Sequence, residues 1–256
     1  RYFFMMTNNY WNKKINDNFN NAAYCYSKYS LVQKYFANKL LIIIKELEPQ
    51  IGEWIDLGAG TGYLADLLEK DFMNINVIRI DLSPNMLKEN KKNSQTILWD
   101  LNNDLPPYIN KASLIISSFC FHWLNEPEEK LREWYNRLVP GGFLVVLFPN
   151  NESFPEWKDT CKKSKIEYSG LSLPCTNTLK KFVKENEIFQ IKKFIYKETF
   201  PNIYKLFKSI INVGAHTSQS KRKTVSELKL MQKKWPKDQY EKVNLTWSIS
   251  VLILKK

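Results

Sequence analysis

The sequence predicts an α/β protein with a doubly wound, mostly parallel, seven-stranded sheet. Helices precede the sheet, and a helical insertion separates its last two strands. Three observations predict this. Apolar runs of strand length alternate with helical periodicity through residues 50–150, as in βαβ units whose sheet is covered on both faces. The first run, "EWIDLG", opens directly into glycines at alternate positions: Gly58, Gly60 and Gly62. Acids accompany the first three runs: Asp56 just before the glycines, Asp81 and Asp100 at the ends of the second and third. The carboxyl ends of such strands are where open α/β sheets bind ligands.

The elements follow in order. Residues 13–48 read as helix, with apolar spacing through Phe19, Ala22, Ala23 and Tyr26 and then Leu31, Tyr35, Phe36 and Leu40. "EWIDLG" is a buried strand, and Gly62–Lys70 the helix after it. "INVIRID" (Ile75–Asp81) is a second strand. "SPNMLKEN" opens a helix, with Ser83 as N-cap and Pro84 at the first helical position. Gln95–Asp100 is a third strand and "ASLIISSFCFHW" a fourth, followed by a helix over Glu126–Leu138. "GGFLVVLFP" is a fifth, entered through a Pro140-Gly141-Gly142 turn. Beyond residue 150 the spacing predicts helix over Leu179–Asn186, strand over Phe189–Thr199, helices over Ile203–Val213 and Val225–Lys234, and a last strand over Thr246–Leu254.

A chain of 256 residues, 44% hydrophobic, can bury a full core as one domain spanning 1–256. Runs such as Leu40–Ile44 and Leu144–Phe148 are too short to span a bilayer, so no membrane segment is expected. The start lacks the apolar stretch of about 7–15 residues that a secretory signal needs. Arg1–Phe4 precede Met5 and Met6 and read as an upstream extension. Cys25, Cys120, Cys161 and Cys175 show no CxxC spacing, as expected of free or buried thiols in a reducing cytoplasm. No metal-ligating cluster is evident. The oligomeric state is not fixed by the sequence; a monomer is the expectation.

The net charge of +12 lies entirely in the second half. Residues 151–256 hold 22 basic and 10 acidic side chains, against 16 of each in residues 1–150. Two readings stay open: attraction of an acidic partner, or a codon bias that fills the chain with Lys, Asn and Ile. Nucleic acid is a poor candidate. There is no appended RNA-binding motif, and only five of the 38 basic residues are arginine.

The glycine loop narrows the ligand. A dinucleotide fingerprint places its third glycine at i+5, where this chain has Tyr63, and no Gly-Lys-Ser/Thr phosphate loop is present. A ligand without pyrophosphate is therefore expected. A carboxylate at Asp81 can accept both hydroxyls of a ribose, one at Asp100 can reach an adenine amino group, and Asp56 can hold an amine.

"DLGAGTG", "IDLSPNML", "WDL" and "LVPGGFLVV", in this order, resemble the class I methyltransferases that use S-adenosylmethionine, over roughly residues 50–150. The flanks resemble one family in particular, the malonyl-acyl-carrier-protein O-methyltransferases of biotin synthesis. The helix "FNNAAYCYSKYSLVQ" matches that family's pattern at Phe19, Ala22, Ala23 and Tyr26, with Asn21 where Arg is common. "SFCFHWLNEP", "SFPEW" and "GAHTSQSKRKTVSELKLMQKKWP" extend the likeness over nearly the whole chain.

The resemblance implies a Rossmann-like methyltransferase with an N-terminal helical lid (1–48), a cofactor-binding core (49–150) and a basic C-terminal part (151–256). That last part would carry a helical substrate cap over about 201–240. Asp56, Gly58, Gly60, Gly62, Asp81, Leu82, Met86, Asp100, Leu101 and Ser118 are then the expected cofactor contacts. Tyr26 and His122 are candidate catalytic residues, and Trp123, His216, Lys221 and Arg222, with Lys223, candidate substrate contacts. The implied acceptor is the free carboxylate of a malonyl thioester on acyl carrier protein or coenzyme A, whose methyl ester would prime pimeloyl and biotin synthesis. A quinone precursor or aliphatic acid is the alternative acceptor, and RNA a weaker one.

Overall fold

In the computed structural model β1 (Glu53–Leu57), β2 (Val77–Asp81), β3 (Thr96–Leu98), β4 (Ala112–Ser118), β5 (Leu138–Pro149), β6 (Ile188–Phe200) and β7 (Val243–Lys255) form one seven-stranded sheet. Residues 2–218 and 220–256 are described, with side chains from Tyr10 onward; the expected extension over residues 1–4 falls outside the part described in full. The strand order is β3-β2-β1-β4-β5-β7-β6. The pairs from β3 through β5 are parallel, and β7 runs antiparallel to both β5 and β6.

Burial explains the apolar strands. Successive side chains point to opposite faces, and both faces are covered. Ile55 and Ile115 pack on one side with Leu131 and Trp134 of α5 (Pro127–Asn136). Trp54 and Leu114 pack on the other with Phe36, Leu40 and Ile44 of α2 (Leu31–Leu47) and Leu64 and Leu68 of α3 (Tyr63–Asp71). A third cluster joins Trp157 of α6 (Pro155–Ser164) to Leu206 of α8 (Ile203–Asn212) and Met231 of α9 (Val225–Lys234). Both α8 and α9 lie between β6 and β7 in the chain. Among the described residues no helix is long and apolar enough to cross a membrane. The four cysteines are free thiols.

Several boundaries differ from expectation. The single helix expected over 13–48 is two, α1 (Tyr2–Tyr29) and α2, interrupted at Ser30. The fourth strand stops at Ser118, because Phe119 takes a left-handed backbone (φ 54°) and Phe121–Trp123 wind into a 3-10 turn. The Pro140-Gly141-Gly142 segment lies inside β5 as a bulge: pairing jumps from Ala112–Leu138 to Leu114–Phe143 there. The third strand keeps only Thr96–Leu98, so Asp100 lies just beyond it. In place of the helix expected over 179–186 stand the short α7 (Thr176–Leu179) and two 3-10 turns, parted at the extended Val183. Helix α6 has no counterpart among the expected elements, although Pro155 at its start and Trp157, Cys161 and Ser164 on its buried face mark it. Ser83 caps α4 (Pro84–Lys88) as expected, accepting from the Met86 N–H.

This topology fixes where a ligand sits. The strand order reverses between β1 and β4, and the loops leaving those two strands part at the carboxyl edge of the sheet.

Candidate active site

The glycine loop leaves β1 and folds back on β2: the N–H groups of Gly58 and Ala59 both donate to the Ile80 carbonyl. Gly58 has φ 77°, and a Cβ there would sit 2.2 Å from Cys120 Cβ, so only glycine fits. Gly60 (φ 55°) differs: a Cβ would meet no atom within 4 Å and would project into open space. Gly62 (φ 79°) caps α3, and its missing side chain makes room for Asn90 and Arg79.

Asp81 stands over this loop. Its Oδ2 accepts from the Gly60 N–H and its Oδ1 from the Ser83 N–H, each at 2.8 Å. Each oxygen keeps a lone pair, so a fixed carboxylate presents two acceptors to a diol. Burial pushes its pKa up, and the N–H bonds to Ser83 and Gly60 oppose that shift. Asp100 is held through Oδ1 by the backbone and side-chain nitrogens of Asn102 at 2.9 Å.

One cleft brings most of the expected cofactor residues together. Gly58, Gly60, Asp81, Leu82, Met86, Asp100, Leu101 and Ser118 all line it, with Tyr26 and Trp123. Asp56 and Gly62 do not. Asp56 lies beneath the loop, 2% exposed. Burial pushes its pKa up to about 7 against the lowering pull of Arg79. Gly62 acts through the helix it caps.

Sequence reasoning missed the loop's anchor. Arg79 is fully buried, its guanidinium paired with Glu69 (2.6 Å) and Asp66 (2.8 Å) and donating to Asn90 Oδ1 (3.0 Å). Asn90 in turn donates to the Gly60 carbonyl (2.9 Å). It also missed Asn12, Ile15, Phe19, Asn102, Phe119 and Cys120 in the cleft wall. The first three come from α1, which closes over the cleft. Asn20 Oδ1 accepts from Ser83 Oγ at 2.6 Å, and the Phe19 ring meets Trp123 edge-on at 5.5 Å. The apolar spacing of α1 and the helical lid implied by the family resemblance hinted at such a face, without singling out these residues.

Tyr26 reaches the cleft from α1. Burial, then the charge of Asp81, raises its pKa, so it stays protonated and offers an O–H donor. His122 is held neutral: burial lowers its pKa to about 3, and its buried Nδ1 has no partner among the described residues.

A second, larger cavity of about 620 Å³ shares Trp123 as a lining residue with the first. Its volume lies in the range of small-molecule sites. His122, His216, Lys221, Arg222 and Lys223 line it, so every expected substrate residue faces one space. Its inner wall is aromatic, with Phe154, Trp157, Phe207 and Trp247. Phe154 and the first cleft's Phe119 both hold left-handed backbones, strain of a kind that clusters at functional sites. Glu198 enters the same cavity, where it accepts from Trp247 Nε1 (2.7 Å) and burial raises its pKa.

The cleft fits S-adenosylmethionine on two structural observations. Gly60 leaves open the space that a Cβ would occupy, and Asp81 is oriented by two backbone N–H groups with acceptor capacity to spare. Residues 55–146 match the family model described as a methyltransferase domain. Fold and sequence together define a class I, S-adenosylmethionine-dependent methyltransferase. The sequence is similar to malonyl-[acyl-carrier protein] O-methyltransferase 2 of Ilyobacter polytropus, at 26% identity over 219 residues, 82% of this chain and 83% of that one. The fold is similar to the YcgJ protein of Bacillus subtilis, with a TM-score of 0.59 at 13% identity, covering 84% of this chain and 96% of that one. It is also similar to a Haemonchus contortus phosphoethanolamine N-methyltransferase solved with S-adenosylhomocysteine: TM-score 0.50, 18% identity, 86% of this chain and 52% of that one.

Proposed function

We propose that this chain transfers the methyl group of S-adenosylmethionine to the free carboxylate of a malonyl thioester carried by acyl carrier protein or coenzyme A. One observation carries the reading: the cavity that shares Trp123 with the cofactor cleft is lined by the aromatic Phe154, Trp157, Phe207 and Trp247 and by the cations Lys14, Lys221, Arg222 and Lys223. Such a space suits an acyl chain with anionic ends. The malonyl-carrier-protein methyltransferase of I. polytropus, similar over 82% of this chain, supports the same acceptor.

The chemistry asks little of the protein beyond placement. The bound cofactor supplies a methyl group on a sulfonium that is its own leaving group. A carboxylate acceptor is already ionised at pH 7, so no base is needed. Tyr26, kept protonated, donates a hydrogen bond and removes no proton. His122, kept neutral, lines the acceptor cavity without adding charge to it. The residues of α1 and the 3-10 turn exclude water, and α8 with α9 caps the acceptor. Positioning of this kind can remove ~7–11 kcal/mol from a barrier. Four free thiols accord with a reducing cytoplasm.

Glu198 supports a second reading, another small-molecule acceptor. A half-buried carboxylate with a raised pKa suits the removal of a proton from a hydroxyl. A panel of malonyl, succinyl and acetyl thioesters, with hydroxylated aromatics, separates the two. The first reading expects turnover of malonyl thioesters and none of acetyl; turnover of the hydroxylated compounds alone would replace it with the second.

A further inference from the structure

We infer that the rim of the acceptor cavity is a phosphate subsite, built by Lys14 on α1 and Lys221 and Arg222 on the loop between α8 and α9, which holds the phosphate of a phosphopantetheine arm. The inference rests on the acceptor being a thioester of such an arm.

The rim joins two distant parts of the chain. Gly214 (φ 76°) lets the loop press against α1, where a Cβ would lie 2.9 Å from the Asn18 carbonyl oxygen. Asn18 Nδ2 then donates to Thr217 Oγ1 (2.8 Å), and Lys14 Nζ to the Ser218 carbonyl (3.1 Å). These bonds bring the Lys14 ammonium to the segment that carries Lys221 and Arg222, and all three line the one cavity. Lys223 lines it too, but donates to the Glu167 carbonyl at 2.6 Å.

The charges there are not neutralised. Among the described residues none of Lys14, Lys221, Arg222 and Lys223 forms an ion pair, although ten other cations do. Four cations and one carboxylate, Glu198, face the cavity. Burial and then the charges of Lys14 and Arg222 lower the pKa of His216 beside them, which marks concentrated positive potential. Glu198 is bonded to Trp247 on the aromatic wall. An arm with an anionic outer end and a neutral thioester matches a cationic rim that leads to an apolar interior. Arginine adds the fork of donors that pairs with phosphate oxygens.

Calorimetric titration of the S-adenosylhomocysteine-saturated protein with 4′-phosphopantetheine and with pantetheine tests this without methyl transfer. The phosphorylated arm is expected to bind at least about tenfold tighter, with a gap that narrows in high salt. In Lys221→Ala/Arg222→Ala, and separately in Lys14→Gln, the ratio should fall toward unity; melting curves establish that each variant is folded. Equal affinities for the two arms in the parent protein, or an unchanged ratio in the folded double variant, would overturn the subsite. Inactivity of all malonyl thioesters with the phosphate preference intact would sink the proposed acceptor and leave the subsite standing. Malonyl-coenzyme A and malonyl-carrier protein are the two sources of such a phosphate. The double variant should lower kcat/KM for whichever the parent protein prefers; no loss on either counts against the subsite.

Discussion

Replacing Asp81 with alanine removes a carboxylate with two separate duties. Towards the ligand, the proposed contact is of its two oxygens with a ribose diol. Losing a charge-assisted pair of hydrogen bonds costs about 1.5–3 kcal/mol, roughly ten- to a hundredfold in affinity. Towards the protein it accepts from the Gly60 and Ser83 N–H groups at 2.8 Å, so the substitution leaves both donors unpartnered in the loop and helix cap that shape the cleft. The first loss falls equally on S-adenosylmethionine and S-adenosylhomocysteine, since both carry the ribose. The second lowers stability by roughly 1–3 kcal/mol for an orphaned donor, and a melting curve reads it independently. Asp81→Asn keeps one acceptor oxygen and should fall between the parent protein and Asp81→Ala. Calorimetric titration with both ligands is the assay. Unchanged dissociation constants for both, in a folded variant, would refute the diol role; loss of one ligand alone would contradict a contact through the shared ribose.

Four further outcomes follow from the same geometry. Gly60→Val should abolish cofactor binding while Gly58→Ala chiefly lowers the melting temperature, because a side chain at Gly60 points into the open cleft and one at Gly58 strikes Cys120; titration and calorimetric melting separate them. Affinity for S-adenosylmethionine should rise with pH through about 7 as Asp56 ionises and attracts the cofactor's ammonium, and Asp56→Asn should flatten that profile. Because the folded-state pKa of Asp56 is raised above its unfolded value, its contribution to stability is full below pH ~4 and is lost as pH climbs to about 7, which chemical denaturation across that window would detect. Reversing Lys221, Arg222 and Lys223 to Glu should raise KM for malonyl-carrier protein by a factor that shrinks with added salt, since exposed charges are screened over ~8 Å at physiological ionic strength; a salt-independent loss points instead to damage of the fold.

Much of the cofactor side is legible in the sequence because its signals are local. Glycine is needed where the backbone takes positive φ beside another chain segment, and acids mark strand ends, so "DLGAGTG" and Asp81 announce themselves. Ser83 and Pro84 likewise spell a helix start. What stayed hidden depends on tertiary approach. Asn90 anchors the Gly60 carbonyl, yet an asparagine at the end of a short helix looks like any other. Phe119 ends β4 by turning left-handed, and an aromatic residue carries no sign of that, so the strand reads too long. Lys14 joins Lys221 and Arg222 only because Gly214 lets two segments some 200 residues apart in sequence touch. The bulge at Pro140-Gly141-Gly142 reads as a turn, because the same residues serve both.

The central claim is that a malonyl carboxylate receives the methyl group, and one measurement addresses it most directly. The protein is incubated with malonyl-carrier protein and S-adenosylmethionine labelled in its methyl group, and the acceptor is isolated and treated with mild base. The account predicts label on the carrier protein in a base-labile ester, released as labelled methanol, and none on acetyl-carrier protein. Label that stays with the cofactor, or enters the acceptor in a base-stable bond, would contradict it.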